Sequence, residues 1–213
     1  DLFLKGREHH ERFTREDVAR AQALFQQALD LDPKFTMAMV WLGWTHFIQG
    51  DAGWSPDYRQ SSLKAVALAQ RAIAIDPSLG DVYAGLTAWL ATLEKYPESI
   101  VAAERGVDIS PNQADVVVQS GWTFAFSGRA NEGLPLVERA LRLNPFPPDW
   151  FFCVLGDSLL FTIRIEEATT AHRKCVERLP DFIWGQLGLT VDYVESGKLV
   201  QATAQAKEAL RIN

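Results

Sequence analysis

Three observations predict an all-α repeat fold, an open solenoid built from six pairs of helices. First, a short motif recurs. Ala28-Leu29-Asp30-Leu31-Asp32-Pro33 returns as Ala72-Ile73-Ala74-Ile75-Asp76-Pro77, Gly106-Val107-Asp108-Ile109-Ser110-Pro111 and Ala140-Leu141-Arg142-Leu143-Asn144-Pro145, with a weaker copy at Cys175-Val176-Glu177-Arg178-Leu179-Pro180. Its prolines lie 44, 34, 34 and 35 residues apart (33 to 77, 111, 145 and 180), and a period of this size marks stacked supersecondary units. Second, the apolar residues between the motifs recur at intervals of three and four, the spacing of one helical face. Third, alternating runs of period two are absent.

The repeats fall at about 1–35, 36–79, 80–113, 114–147, 148–182 and 183–213. In the first, helix A runs from Asp1 to about Arg12, and Thr14 with Asp17 three residues on reads as a variant capping box opening helix B. Helix B presents Val18, Ala21, Leu24, Phe25, Ala28 and Leu29 on one face, and Asp32-Pro33 stops it because a residue before proline avoids the α region. The second repeat carries Leu42-Gly43 in helix A, Ala65 and Ala72 in helix B, and ten extra residues near Gly50–Tyr58, whose two glycines, serine and proline predict a long loop. The third has Tyr83, Leu86, Leu90 and Ala103; the fourth Gly121, Phe124 and Ala140. A stiff connector, Asn144-Pro145-Phe146-Pro147-Pro148-Asp149, leads to Leu155-Gly156, Leu159 and Ala168, and the sixth repeat has Leu189, Tyr193, Ala202 and Ala209. The small residues read as close contacts in which Gly43, Gly121 and Gly156 face Ala65, Gly133 or Ala168.

Composition narrows the function. The net charge of −6 argues against nucleic acid, whose phosphates call for a basic stripe. No run reaches the length of a membrane span, no signal-peptide pattern opens the chain, and a cytoplasmic setting is expected. Cys153 and Cys175 have no CxxC spacing, which fits a reducing compartment rather than a disulfide, with Cys153 as a small buried hydrophobe. The start at Asp1 and the end at Asn213, one residue short of the next expected proline, suggest a segment of a longer protein. His9 and His10 are adjacent and point about 100° apart on a helix, so they do not chelate one metal. His46 and His172 read as interhelical packing residues. No phosphate loop, zinc helix or nucleophile elbow appears, so no enzyme, cofactor or metal is expected.

This two-helix unit with its Leu-Gly, Ala and Pro spacing resembles the tetratricopeptide repeat. The matches are Ala21, Phe25, Ala28 and Pro33; Leu42, Gly43, Ala65, Ala72 and Pro77; and Leu155, Gly156, Ala168 and Pro180. Thr87, Ser120, Thr190, Gly106 and Cys175 depart from the pattern. The resemblance implies a right-handed array whose A helices line a concave groove. Its lining positions fall on Met37, Val40, Trp44, Phe47 and Ile48; Asp81, Ala84, Ala88, Ala91 and Thr92; Asp115, Val118, Trp122, Ala125 and Phe126; Trp150, Cys153, Asp157, Leu160 and Phe161; and Trp184, Leu187, Val191, Val194 and Glu195. This apolar, aromatic lining does not suit capture of a terminal carboxylate. It suits a protein or peptide segment, or a second copy of the chain, with Trp44, Phe47, Trp122, Phe126, Trp150, Phe161 and Trp184 as anchors; the other outcome is that tight winding buries the rings among the helices. Trp54 and Tyr58 in the insertion are further contact candidates. More narrowly, Leu4–His9, Phe13–Asp17, Gly53-Trp54-Ser55 and Asn144–Trp150 are similar to the C-terminal repeats of bacterial multidomain signalling proteins, in which a nucleotide cyclase or winged-helix domain precedes the array. That resemblance implies a scaffold or dimerisation module.

Overall fold

The computed structural model describes residues 1–212 and is all-α. Its twelve helices are α1 (Leu2–His10), α2 (Arg15–Leu31), α3 (Thr36–Asp51), α4 (Tyr58–Ile75), α5 (Gly80–Thr92), α6 (Tyr96–Ile109), α7 (Ala114–Phe126), α8 (Ala130–Leu143), α9 (Phe151–Phe161), α10 (Ile165–Arg178), α11 (Ile183–Glu195) and α12 (Leu199–Ile212). Odd-numbered helices are the A helices and even-numbered ones the B helices. Asn213, the last residue of the final recurring motif, lies outside the described residues.

The chain forms two compact halves, Asp1–Pro111 and the remainder from Asn112. Within each half every helix packs on its pair mate, each B helix packs on the next A helix, and successive A helices touch. This is the stacked helix-pair architecture that the period implies, three pairs to each half. Thr14 caps α2 by accepting the Asp17 amide at 3.1 Å, while its own hydroxyl donates to the Asp17 carboxylate. Asp32 and Asp76 adopt extended conformations at the ends of α2 and α4, as residues before proline do.

The ten extra residues of the second repeat do not form a long loop. Compared with the next pair, α3 has 16 residues against 13 and α4 has 18 against 14, and the connection 52–57 takes the rest. Asp57 supplies the cap that makes this possible, accepting the Gln60 amide at 2.9 Å and starting α4 early. Tyr58 is thereby an exposed first helical residue, and Trp54 is half-buried in the short turn.

One of the expected close contacts forms as predicted, and the other two glycines press hardest on aromatic rings. A Cβ on Gly121 would meet the Gly133 carbonyl oxygen at 2.8 Å, so α7 and α8 do approach backbone to backbone. On Gly43, however, it would meet the Trp89 ring at 2.3 Å, and on Gly156 the His172 ring at 2.4 Å. The second glycines Gly85 and Gly188 press on the same two rings. Each of these rings is seated between two glycines.

Every A–B turn contains one left-handed residue: Phe13, Gly53, Glu94, Gly128, Ile163 and Gly197. At Ile163 a β-branched side chain sits at φ 62° while 84% exposed, so it carries conformational strain without gaining burial. Ile163→Gly is expected to raise the melting temperature by roughly 2–4 °C, the effect of about 1 kcal/mol in a chain of this size. Conversely, Gly156→Leu or Ala72→Leu is expected to lower it by several degrees, since overpacking costs ~1–3 kcal/mol. Thermal melts check both, and changes within error would contradict the packing described.

Candidate binding face

The two halves treat their A-helix aromatics differently. In the first half Trp89 of α5 is fully buried, and Trp44 of α3 meets it edge-on at 5.5 Å. Phe47 closes against Trp44 at 5.6 Å. Val40 and Ile48 are buried and Met37 is half-buried. Trp44 and Phe47 are themselves half-buried, packed outward from the buried Trp89.

In the second half the core is filled by other residues. Val117, Val118, Val137, Ala140, Phe151 and Val154 form it, with Trp122 and Trp150 packed at its margin. Trp122 and Phe126, one turn apart on α7, have ring centroids 4.5 Å apart, and Phe126 meets Phe161 of α9 at 5.0 Å. Phe126 is 46% and Phe161 44% exposed, so the row of three rings presents an open apolar surface. Leu187, Val191 and Val194 of α11 are exposed too. Trp150 packs on Phe151, and Trp184 on Phe182, both tryptophans half-buried. The lining positions thus yield an open aromatic row on α7 and α9, but not a uniform groove.

Behind the row lies an ionic cluster that the sequence did not announce. His172 of α10 is fully buried, its Nδ1 2.6 Å from Asp192 Oδ2 and its Nε2 3.2 Å from Asp157 Oδ1. Burial alone would push the imidazole pKa down, but the hydrogen bonds and charges of the two carboxylates outweigh it and raise it to about 9. Burial raises Asp192, opposed by His172. The Asp157 carboxylate also accepts the Trp122 indole N–H at 3.1 Å, so the cluster ties α7, α9, α10 and α11 together. An aspartate inside the apolar helix α11 and glycines at Gly156 and Gly188 were the available signals.

Two other histidines, His10 and His46, are pushed toward the neutral form. His10 is buried edge-on against Trp41 at 5.0 Å, and burial with nearby Arg7 lowers its pKa to about 3. His46 hydrogen-bonds Gln22 at 3.0 Å, and burial followed by Lys64 lowers it to about 4. His9 pairs with Asp17 instead of with His10.

The expectation of two free thiols is overturned. Cys153 of α9 and Cys175 of α10 form a disulfide, their Cα atoms 5.5 Å apart. The helix pairing brings positions 22 residues apart face to face, beneath Gly185 of α11. The cysteine argument for a reducing compartment falls with it. Among the described residues no cluster of His, Cys, Asp and Glu could hold a metal ion, and no helix is long and apolar enough to cross a membrane.

No family model matches the chain, and none of the curated proteins does. Solved structures do share its fold. TTC0263, a thermophilic tetratricopeptide-repeat protein of Thermus thermophilus, aligns over 91% of this chain and all of its own, with TM-score 0.68 and 18% identity. Human IFIT1, as a dimer with m7Gppp-AAAA, aligns over 91% of this chain with TM-score 0.74 and 18% identity. This chain spans 46% of IFIT1. MamA of Desulfovibrio magneticus RS-1 covers 72% with TM-score 0.54 and 16% identity. The fold is therefore that of tetratricopeptide-type repeats. These likenesses also correct one exclusion. The same fold occurs in a protein solved with m7Gppp-AAAA and with PPP-AAAA, so a net negative charge does not rule out nucleic acid as a partner class.

The histidine shifts predict a bounded pH range of stability. His172 is raised above its ordinary 6.5, so its contribution is complete below about pH 6.5 and is lost as pH climbs through about 9. His10 and His46 are lowered, so theirs is complete above 6.5 and lost as pH falls toward 4 and 3. Melting temperature is expected to peak near neutrality and to decline on both sides between about pH 4 and pH 9.5. A flat profile above pH 7 would contradict the ionic role of His172.

Proposed function

We propose that this chain is a non-catalytic binding module that holds an extended segment of a protein partner along the A helices of its second half. The observation that carries the reading is the open row Trp122, Phe126 and Phe161. Two of its rings remain nearly half exposed beside a well-filled core, and half-exposed aromatics in a row are the residue types that anchor interfaces. Asp157 and the apolar Leu187, Val191 and Val194 extend the contact area. Trp54 and Tyr58 are proposed as a separate contact point on the first half. The module serves as a scaffold within a larger signalling chain; the narrower kinship to cyclase-type bacterial proteins rests on short motifs, and the codons upstream of Asp1 test it.

A second reading takes an RNA 5′ end as the partner. It is favoured by the likeness to IFIT1 solved with m7Gppp-AAAA and PPP-AAAA, and by the ability of aromatic rows to stack bases. Phe126→Ala combined with Phe161→Ala is expected to abolish partner capture from nuclease-treated extract while leaving the circular dichroism spectrum unchanged. Unaltered capture by the double variant would overturn the face. Capture that disappears on nuclease treatment alone would establish the RNA reading in its place.

A further inference from the structure

We propose that the partner segment is cationic, offering arginine or lysine side chains to the ring row and to the Asp157 carboxylate; this rests on the binding reading above. The charge distribution of the second half carries the inference. Its three A helices, α7, α9 and α11, contain no Lys, Arg or His. They contain four carboxylates: Asp115, Asp157, Asp192 and Glu195. Every cationic side chain of this half, from Arg129 to Arg211, belongs to α8, α10, α12 or the turns before them. The bases are thus confined to the B layer, which carries glutamates as well (Glu132, Glu138, Glu166, Glu167, Glu177 and Glu208), while the A layer carries acids alone.

The buried cluster places one of these negative charges at the surface. His172 is hydrogen-bonded to both carboxylates of the cluster, and only one of the two reaches solvent. Asp192 is wholly buried and its Oδ1 has no hydrogen-bond partner. Asp157 is the member that reaches the face, its side chain 25% exposed. Its Oδ2 lies 3.1 Å from the indole nitrogen of Trp122, the first ring of the row. A carboxylate beside exposed aromatic rings, here one tilted pair and one edge-on pair, is a combination that recognises a guanidinium or ammonium. The ring quadrupole attracts the cation, and the carboxylate accepts its N–H groups. An arginine plane also stacks on the rings, so apolar and charged contacts come from one side chain. The exposed Glu195 adds negative potential on α11.

The test is fluorescence anisotropy with three labelled peptides of equal length, alternating Leu with Arg, with Gln or with Glu, and a labelled 5′-triphosphate oligoadenylate. The Arg peptide is expected to bind at least tenfold more tightly than the Gln peptide, which is about 1.4 kcal/mol. Its affinity should fall as salt rises from about 0.05 to about 0.3 M. Asp157→Asn should weaken it about tenfold, and Phe126→Ala should do the same. Because Asp157 also supports His172, the surface change Glu195→Gln provides an independent check, with an expected loss of about twofold and an unchanged melt. Equal affinities for the Arg and Gln peptides, still sensitive to Phe126→Ala, would overturn the cationic preference and leave the face standing. No binding, or binding indifferent to Phe126→Ala and Phe161→Ala, would overturn both. Tighter binding of the oligoadenylate than of the Arg peptide would overturn the proposal in favour of RNA.

Discussion

The structure depends on how closely neighbouring helices approach, and glycine sets that distance. Where Gly121 faces Gly133, two backbones come together with no side chain between them. Elsewhere paired glycines leave a slot that one ring fills: Gly43 and Gly85 around Trp89, Gly156 and Gly188 around His172. A ring in such a slot fixes helix spacing and helix rotation together, because protein interiors tolerate neither a void nor an overlap of one methyl group. Rotation in turn decides which A-helix side chains face the core and which face out. In the first half an A-helix tryptophan fills the slot, and its aromatic neighbours turn toward it. In the second half a B-helix histidine fills it, and the ring row of α7 and α9 remains open.

That histidine has a consequence for charge. A buried imidazole ring calls for polar partners, and α9 and α11 supply Asp157 and Asp192. A buried ion cluster of this kind is not required for stability, since apolar replacements are often as stable. What it does here is couple three helix pairs through one group and leave a carboxylate, tethered to Trp122, at the edge of the aromatic row. The Cys153–Cys175 disulfide staples the same α9–α10 pair. Closing a loop of this length restrains the unfolded chain by roughly 3 kcal/mol. Two independent devices thus hold the scaffold beneath the face.

Much of the fold was legible because local physics wrote it. Asp32-Pro33 and Asp76-Pro77 end helices wherever they occur, and Thr14-x-x-Asp17 starts one. The recurring interval then assembles the pairs. The insertion misled because its Gly, Ser and Pro read as loop, whereas the cap at Asp57 let α4 grow toward it and α3 kept its register to Asp51. The candidate face was legible only in part. Helical positions placed Trp122, Phe126, Asp157 and Phe161 on the A helices, but whether a ring faces solvent depends on what fills the neighbouring slot, a tertiary fact. Trp44 and Trp122 occupy equivalent positions and have different surroundings for that reason. The disulfide and the His172 cluster were invisible on the same ground. Positions 153 and 175, or 157, 172 and 192, meet only once the pairing register of three helices is known.

The central claim is this asymmetry: two nearly half-exposed rings in the second half, against half-buried rings packed on a buried Trp89 in the first. Hydroxyl-radical footprinting read by mass spectrometry tests it directly, because oxidation rates of aromatic side chains follow their exposure to solvent. The account predicts fast labelling of Phe126 and Phe161 and strong protection of Trp89 and Phe151 in the native chain. Protection of Phe126 and Phe161 to the level of Trp89 would mean that the second half also buries its rings, and the binding face would not exist.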